Sequence, residues 1–166
     1  GHRLPRAEVA DTFLYRGSDT LLTRSAWIDG LGIAVKAATI FPGNPDQGRG
    51  MVNGAMNLLN DRTGVLKAIV DFHLVTKWKT AGDSLLAARK LARPDARRIL
   101  IVGAGTVARS MIAAYSAAFP GAAFTIWNRT AQAAARLADA TGACATTDLE
   151  AAVRQAEIIA TTTMSS

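Results

Sequence analysis

The stretch from Arg97 to Thr130, RRILIVGAGTVARSMIAAYSAAFPGAAFTIWNRT, constrains the fold more than any other part of the chain. Residues 99–102 form a short apolar run that ends in Gly103-Ala104-Gly105. A pattern of helical period, rich in Ala and Met, continues to Phe119, where Pro120-Gly121 breaks it. A second apolar run, 123–127, ends in Asn128-Arg129-Thr130. Strand, glycine turn, helix and strand make one βαβ unit of the expected length. Each small residue of the turn has its own task. Gly103 permits the tight turn off the strand, and Gly105 leaves the backbone bare for close approach of a pyrophosphate. Ala108, third in the G-x-G-x-x-G/A pattern, lets helix and strand pack closely. The helix start at Thr106 and Val107 then offers unbonded N–H groups and the positive end of the helix dipole. A strand before, a helix after and a second strand at the right distance are the context that makes this pattern a dinucleotide site.

The end of the second strand bears on which dinucleotide. An NAD site carries Asp or Glu there, about 20 residues past the turn, to accept from the ribose 2′-hydroxyl. This chain has Asn128-Arg129-Thr130 and no acid nearby. A carboxylate repels a 2′-phosphate. Arg129 can instead pair with one and stack on adenine, while Asn128 and Thr130 hydrogen-bond it. The expected cofactor is NADP(H), ahead of NAD(H).

The 166 residues leave room for one or two small domains. No apolar run approaches the roughly 20 residues of a membrane span, so no membrane role is expected. No secretory leader is legible, and Gly1-His2 reads as an expression remnant. The single Cys144 excludes an intramolecular disulfide, fits a reducing cytoplasm and is expected to be a small buried residue. The net charge of +6 raises nucleic acid as a partner. The basic residues are mostly scattered, however, and the one cluster (Arg89, Lys90, Arg93, Arg97, Arg98) lies at a helix end and before a strand, without aromatic stacking partners. A basic field that draws in an anionic cofactor and a carboxylate substrate accounts for the charge, and no nucleic-acid partner is expected.

Ahead of the βαβ unit the chain reads as β-rich. Residues 9–15 and 20–23 are short strands around the turn Arg16-Gly17-Ser18-Asp19, and 31–41 is the clearest strand. On it Leu31, Ile33 and Val35 share one face, while Gly32, Ala34, Lys36 and Ala38 share the other. Lys36 thus rises from a surface of small residues, either as an ammonium lining a pocket or as a solvated lysine on an edge strand. Residues 51–59 and 65–71 are strands joined by Asn60-Asp61-Arg62-Thr63-Gly64, with Gly64 suited to the left-handed position. A helix over 74–92 carries Lys79 and Asp83 four apart on one face, and Arg93-Pro94-Asp95 ends it. This gives a β-rich first domain, 1–94, ending in a connecting helix, and a nucleotide domain, 95–166. After Thr130 come a helix over 131–141 ended by Gly142, a strand 144–147, a helix 149–155 capped by Asp148, and a strand 157–161. Thr161, Thr162 and Thr163 follow at the carboxyl end of the last strand, where doubly wound sheets bind their ligands. The expected class is α/β: a Rossmann-type doubly wound domain, with about half of its six strands missing, preceded by the β-rich domain.

These motifs in this order resemble the ornithine cyclodeaminase/mu-crystallin family. The resemblance rests on Leu4-Pro5-Arg6, on Val35-Lys36 with Phe41-Pro42-Gly43-Asn44, and on Leu59-Asn60-Asp61 with Thr63-Gly64. It continues in Lys79-Thr80-Ala81 through Ser84, in Leu91-Ala92-Arg93-Pro94 and in Gly103-Ala104-Gly105. Trp127-Asn128-Arg129-Thr130 is similar to the NADP-using, mu-crystallin-like branch. Shikimate-dehydrogenase-like proteins share a glycine turn with Asn-Arg-Thr, but lack the Val35-Lys36 and Phe41-Pro42-Gly43-Asn44 pattern. The family resemblance implies a homodimer paired through the β-rich domains, with an active site between the two domains. It implies that Arg6 and Lys79 hold a substrate α-carboxylate. Lys36 would be catalytic, facing the reacting carbon and its nitrogen as charge partner or proton donor. Three positions depart from the family pattern: Lys79 stands where Arg is common, Met51 where Thr is common, and Gly82-Asp83 where small apolar residues are usual. The resemblance also implies an N-terminal helical segment ahead of this sequence and a catalytic aspartate beyond Ser166, so the segment by itself is expected to be inactive.

Three activities follow from the resemblance. The first is an NADP-dependent oxidoreductase that reduces a ketimine, or oxidises the matching amino acid, at the α-carbon. The second is an NAD-dependent cyclodeaminase forming proline and ammonia from ornithine, against which Asn128-Arg129-Thr130 argues. The third is a crystallin-like protein that binds cofactor or ligand without turnover. In each case the partner is a small amino-acid-like or imine carboxylate.

Overall fold

The computed structural model describes residues 5–163. The chain divides into two compact units, residues 1–76 and 77–166. The division falls within the long helix α1 (Phe72–Leu91), whereas the sequence places the domain boundary after it, at Pro94.

The first unit is an antiparallel meander. Strands β1 (Glu8–Arg16), β2 (Asp19–Ile28), β3 (Gly32–Ile40), β4 (Val52–Leu59) and β5 (Leu66–Asp71) lie side by side in chain order. Strand β2 runs to Ile28, well past the end at Thr23 expected from sequence. The reason is cross-strand: Asp11 stands directly opposite Arg24, whose guanidinium donates to both carboxylate oxygens at 2.6 and 2.5 Å. A charged residue that breaks an apolar pattern is here a pairing residue. Arg24 holds the Asp11 carboxyl below the ordinary carboxylate range by those hydrogen bonds, with smaller help from its own charge and that of Lys36.

Turns follow the sequence closely. The Asn60 side chain accepts from the N–H groups of Arg62 and Thr63, and Gly64 closes the turn at φ +67°. Asp71 accepts from the Leu74 N–H at 2.7 Å, so β5 passes straight into α1 through an N-cap. Gly54 has a steric task. A Cβ there would meet the Ala37 carbonyl at 2.1 Å and the Phe72 ring at 3.0 Å, so glycine lets Phe72 bury itself against the sheet.

The second unit holds β6 (Arg98–Val102), α2 (Thr106–Ala118), β7 (Ala123–Trp127), α3 (Ala131–Thr141), β8 (Cys144–Thr146), α4 (Leu149–Gln155) and β9 (Ile158–Thr161). All its strand pairs are parallel, in the order β8-β7-β6-β9. That is the strand order 3-2-1-4 of the first part of a dinucleotide fold. Ile99, Leu100 and Ile101 are fully buried, as is usual for a parallel strand covered on both faces. Ala108, Met111, Ile112 and Tyr115 of α2 join Ile126 and the Ala81 and Ala88 positions of α1 in one core. Tyr115 keeps a polar partner in that core: its hydroxyl lies 2.8 Å from the Ser84 hydroxyl and 3.1 Å from the Ser84 carbonyl. Cys144 is exposed, not buried as expected, because β8 is an edge strand with no neighbour beyond it among the described residues. Among the described residues no helix is long and apolar enough to cross a membrane.

Candidate active site

The glycine turn sits where the sheet changes its winding direction. The crossover from β6 leads to β7 on one side, while β9 pairs on the other, and ligands bind at the carboxyl ends around such a point. A cleft of about 400 Å³ opens there. It is lined by Gly103, Ala104 and Gly105 after β6, by Trp127, Asn128, Arg129 and Thr130 at the end of β7, and by Thr162 and Thr163 after β9.

Local geometry explains the glycines. Gly103 adopts φ +118°, and a Cβ on it would lie 2.2 Å from the Thr162 hydroxyl oxygen. Its N–H donates to the Trp127 carbonyl at 2.8 Å, which ties the turn to the end of β7. Thr162 donates both its N–H and its hydroxyl to the Val102 carbonyl, at 2.8 and 3.2 Å. Gly105 is different: nothing lies within 4 Å of where its Cβ would point. It is the N-cap of α2, no side chain caps the helix, and the first N–H groups of a helix have no carbonyl behind them. A bare backbone facing open space with free donors fits a pyrophosphate. Ala108 is fully buried, as close helix–strand packing requires.

At the end of β7 the Asn128 amide donates to the Thr130 carbonyl at 3.1 Å and the Trp127 ring N–H donates to the Thr147 carbonyl at 3.3 Å. The Thr130 hydroxyl makes no cap to α3, and Arg129 is exposed at the cleft. Among the described residues no acid lines this cleft.

The structure therefore gathers Gly103, Gly105, Asn128, Arg129, Thr130, Thr162 and Thr163 in one place. Three other candidates do not line the cleft. Val107 packs against the core, Thr106 lines a neighbouring groove, and Thr161 lies in β9 paired with Val102. For Thr106 and Val107 the available groups are backbone N–H, not side chains. Sequence reading missed Ala104 and Trp127 as lining residues. The signal for Trp127 was its position as last residue of the second strand.

Substrate candidates lie in both units. In the first, Lys36 is on β3, the central strand of the sheet, so the edge-strand reading fails. It is half-buried, directly opposite Arg24 on β2 and Met56 on β4, with its ammonium 5.7 Å from the centre of the Phe72 ring. Arg6 is exposed just ahead of β1. In the second unit, Lys79 forms an ion pair with Asp83 on the same face of α1, both side chains largely exposed.

Comparison with known proteins places this geometry. The sequence pattern of the ornithine cyclodeaminase/mu-crystallin family matches residues 26–166. A Delta(1)-pyrroline-2-carboxylate reductase of Paracoccus denitrificans is 47% identical over 170 residues, which cover 99% of this chain and 54% of that protein. An archaeal alanine dehydrogenase dimer with bound NAD superposes with a TM-score of 0.84 at 25% identity, over 95% of this chain and 50% of that one. Thermococcus litoralis Delta(1)-pyrroline-2-carboxylate reductase, in complex with NADH and L-proline, superposes with a TM-score of 0.81 at 21% identity, over 93% and 51%. The chain spans about half the length of the curated relatives it matches. Fold, glycine turn and sequence pattern agree: the chain belongs to the ornithine cyclodeaminase/mu-crystallin family.

Proposed function

We propose that the protein is an NADP-dependent reductase that converts a cyclic or open ketimine carboxylate, of the pyrroline-2-carboxylate kind, into the matching α-amino acid. The observation that carries this reading is the end of β7. Asn128, Arg129 and Thr130 line the cleft where a carboxylate would repel a 2′-phosphate, and none stands there. The name of the Paracoccus relative supports the reaction class. A nicotinamide cofactor held along the glycine turn and the end of β7 would supply the hydride for reduction of the imine carbon.

The chain's own residues bind and orient. Gly103, Gly105 and the N–H groups of Thr106 and Val107 hold the pyrophosphate, and Thr162 and Thr163, which line the cleft, border the nicotinamide end. Arg6 and Lys79 take the substrate carboxylate. Lys79 is an ammonium, a compact charge without the fork of a guanidinium, and the carboxylate competes with Asp83 for it. Lys36 places positive charge or a proton at the nitrogen. A central strand holds it more firmly than an edge strand does.

The first unit also supports a homodimer. One face of the sheet carries Leu14, Leu21, Trp27, Ile33, Val35 and Ile69, with Trp27 46%, Leu14 60% and Ile69 68% exposed. Exposed apolar side chains of this size, interspersed on the same face with Thr23, Ser25 and Asn57, support a protein interface, and a second copy of the chain is the occupant this reading assigns.

Turnover of Δ1-pyrroline-2-carboxylate with NADPH by the whole protein tests the reading, with L-proline as the expected product. Ammonia and proline from ornithine with NAD would replace it by the cyclodeaminase, and tight NADPH binding without turnover by a crystallin-like binder.

A further inference from the structure

We propose that Arg109 and Arg136 form the outer half of a two-sided site for the 2′-phosphate, with Arg129 on the inner side. The proposal rests on the NADP reading above and extends it to residues outside the Asn-Arg-Thr turn. A second groove, of about 320 Å³, lies between the first turn of α2 and the side of α3. Gly105, Thr106, Arg109 and Arg136 line it, and it shares Ala104 and Gly105 with the dinucleotide cleft, so the two meet across the glycine shelf. Both arginines are exposed, and among the described residues neither takes part in an ion pair.

Arg109 lies at the end of the first turn of α2, where a positive charge adds unfavourably to the positive end of the dipole. That turn contains no acid and no side-chain cap to offset it. The first turn of α3 has no acid and no side-chain cap either. Two guanidiniums without counter-ions, beside a shelf of free N–H groups, form a field suited to a dianion. Its place selects which one. The pyrophosphate belongs on the shelf at the carboxyl ends of β6 and β9. The groove lies on the other side, along the helix that follows β7, the strand whose carboxyl end faces the adenosine ribose in a dinucleotide fold. The group that a dinucleotide can present there is a phosphate monoester on that ribose.

The test is titration of the whole protein with NADPH and with NADH, for wild type and for the double variant Arg109→Gln/Arg136→Gln. The expected result is a loss of about ten-fold or more in NADPH affinity, with NADH affinity changed by less than about two-fold. An Arg136→Lys variant restores part of the difference, since charge survives but the fork does not. Competition by 2′,5′-ADP against 5′-AMP reads the same discrimination without the nicotinamide. A wild type that prefers NADPH together with a double variant that keeps the preference overturns this inference and leaves the NADP reading standing. Equal weakening for both cofactors also overturns it, since the arginines then serve the pyrophosphate or the fold. A wild type without any preference overturns the NADP reading and this inference with it.

Discussion

At Gly103 the backbone conformation and the neighbouring Thr162 impose one choice. With φ at +118° and the Thr162 hydroxyl 2.2 Å from any Cβ, Gly103→Ala is strained twice over. It is expected to cost about 2 kcal/mol or more of stability and to abolish cofactor binding, read by chemical denaturation and by titration. Gly105→Ala separates the two effects: nothing crowds its Cβ, so the fold survives while pyrophosphate approach is blocked. Lys36→Met, which keeps an unbranched apolar side chain and removes the ammonium over Phe72, is expected to lower kcat by about 10²-fold or more in a steady-state assay of the whole protein. These residues differ in how well the sequence announces them. Gly103, Gly105 and Arg129 are legible because spacing from a strand end fixes their place. The clamp of Thr162 on Val102, and the hydroxyl of Tyr115 on Ser84, join residues sixty and thirty-one positions apart, and no local pattern encodes such pairs.

Elements are held by pairings of the same long-range kind. The Glu157 carboxylate accepts from the N–H groups of Arg97 and Arg98 at 2.8 and 3.0 Å and meets the Arg98 guanidinium at 3.2 Å. Together these lock the start of β9 to the start of β6. The Arg97 and Arg98 N–H groups, in that order, hold the Glu157 carboxyl below the ordinary glutamate range. A depressed folded-state value contributes stability that is present above the unfolded value and is lost as the pH falls through the folded one. Wild type is therefore expected to lose stability on acidification through and below the ordinary glutamate range, and Glu157→Gln to flatten that dependence, measured by thermal melts across acid pH. The strands and helices of the second unit were legible because apolar runs alternate with glycine and proline stops. The extent of β2 was not, since the Asp11–Arg24 pair that continues it reads, in one dimension, as two isolated charges. The exposure of Cys144 was also hidden, because strand order and not composition makes β8 an edge.

For the whole molecule, sequence carries the fold class and the order of the units, while the meander's neighbour-to-neighbour pairing supplies what periodicity leaves open. Alternation along β3 shows that Ile33 and Val35 share a face. Only the sheet order adds Leu14, Leu21, Trp27 and Ile69 to that face. Trp27→Asp, near the end of β2 on that face, is expected to shift a dimer to monomer in analytical ultracentrifugation without unfolding the meander, because the side chain is nearly half exposed in the single chain. The proposed preference for NADPH is the central claim at this scale, and its support at the end of β7 is Asn128, Arg129 and Thr130 lining the cleft. The most direct measurement is the affinity of the whole protein for NADPH and for NADH, with Arg129→Ala beside wild type. Wild type is expected to bind NADPH about ten-fold tighter or more, and the variant to lose most of that difference. Equal affinities in wild type contradict it.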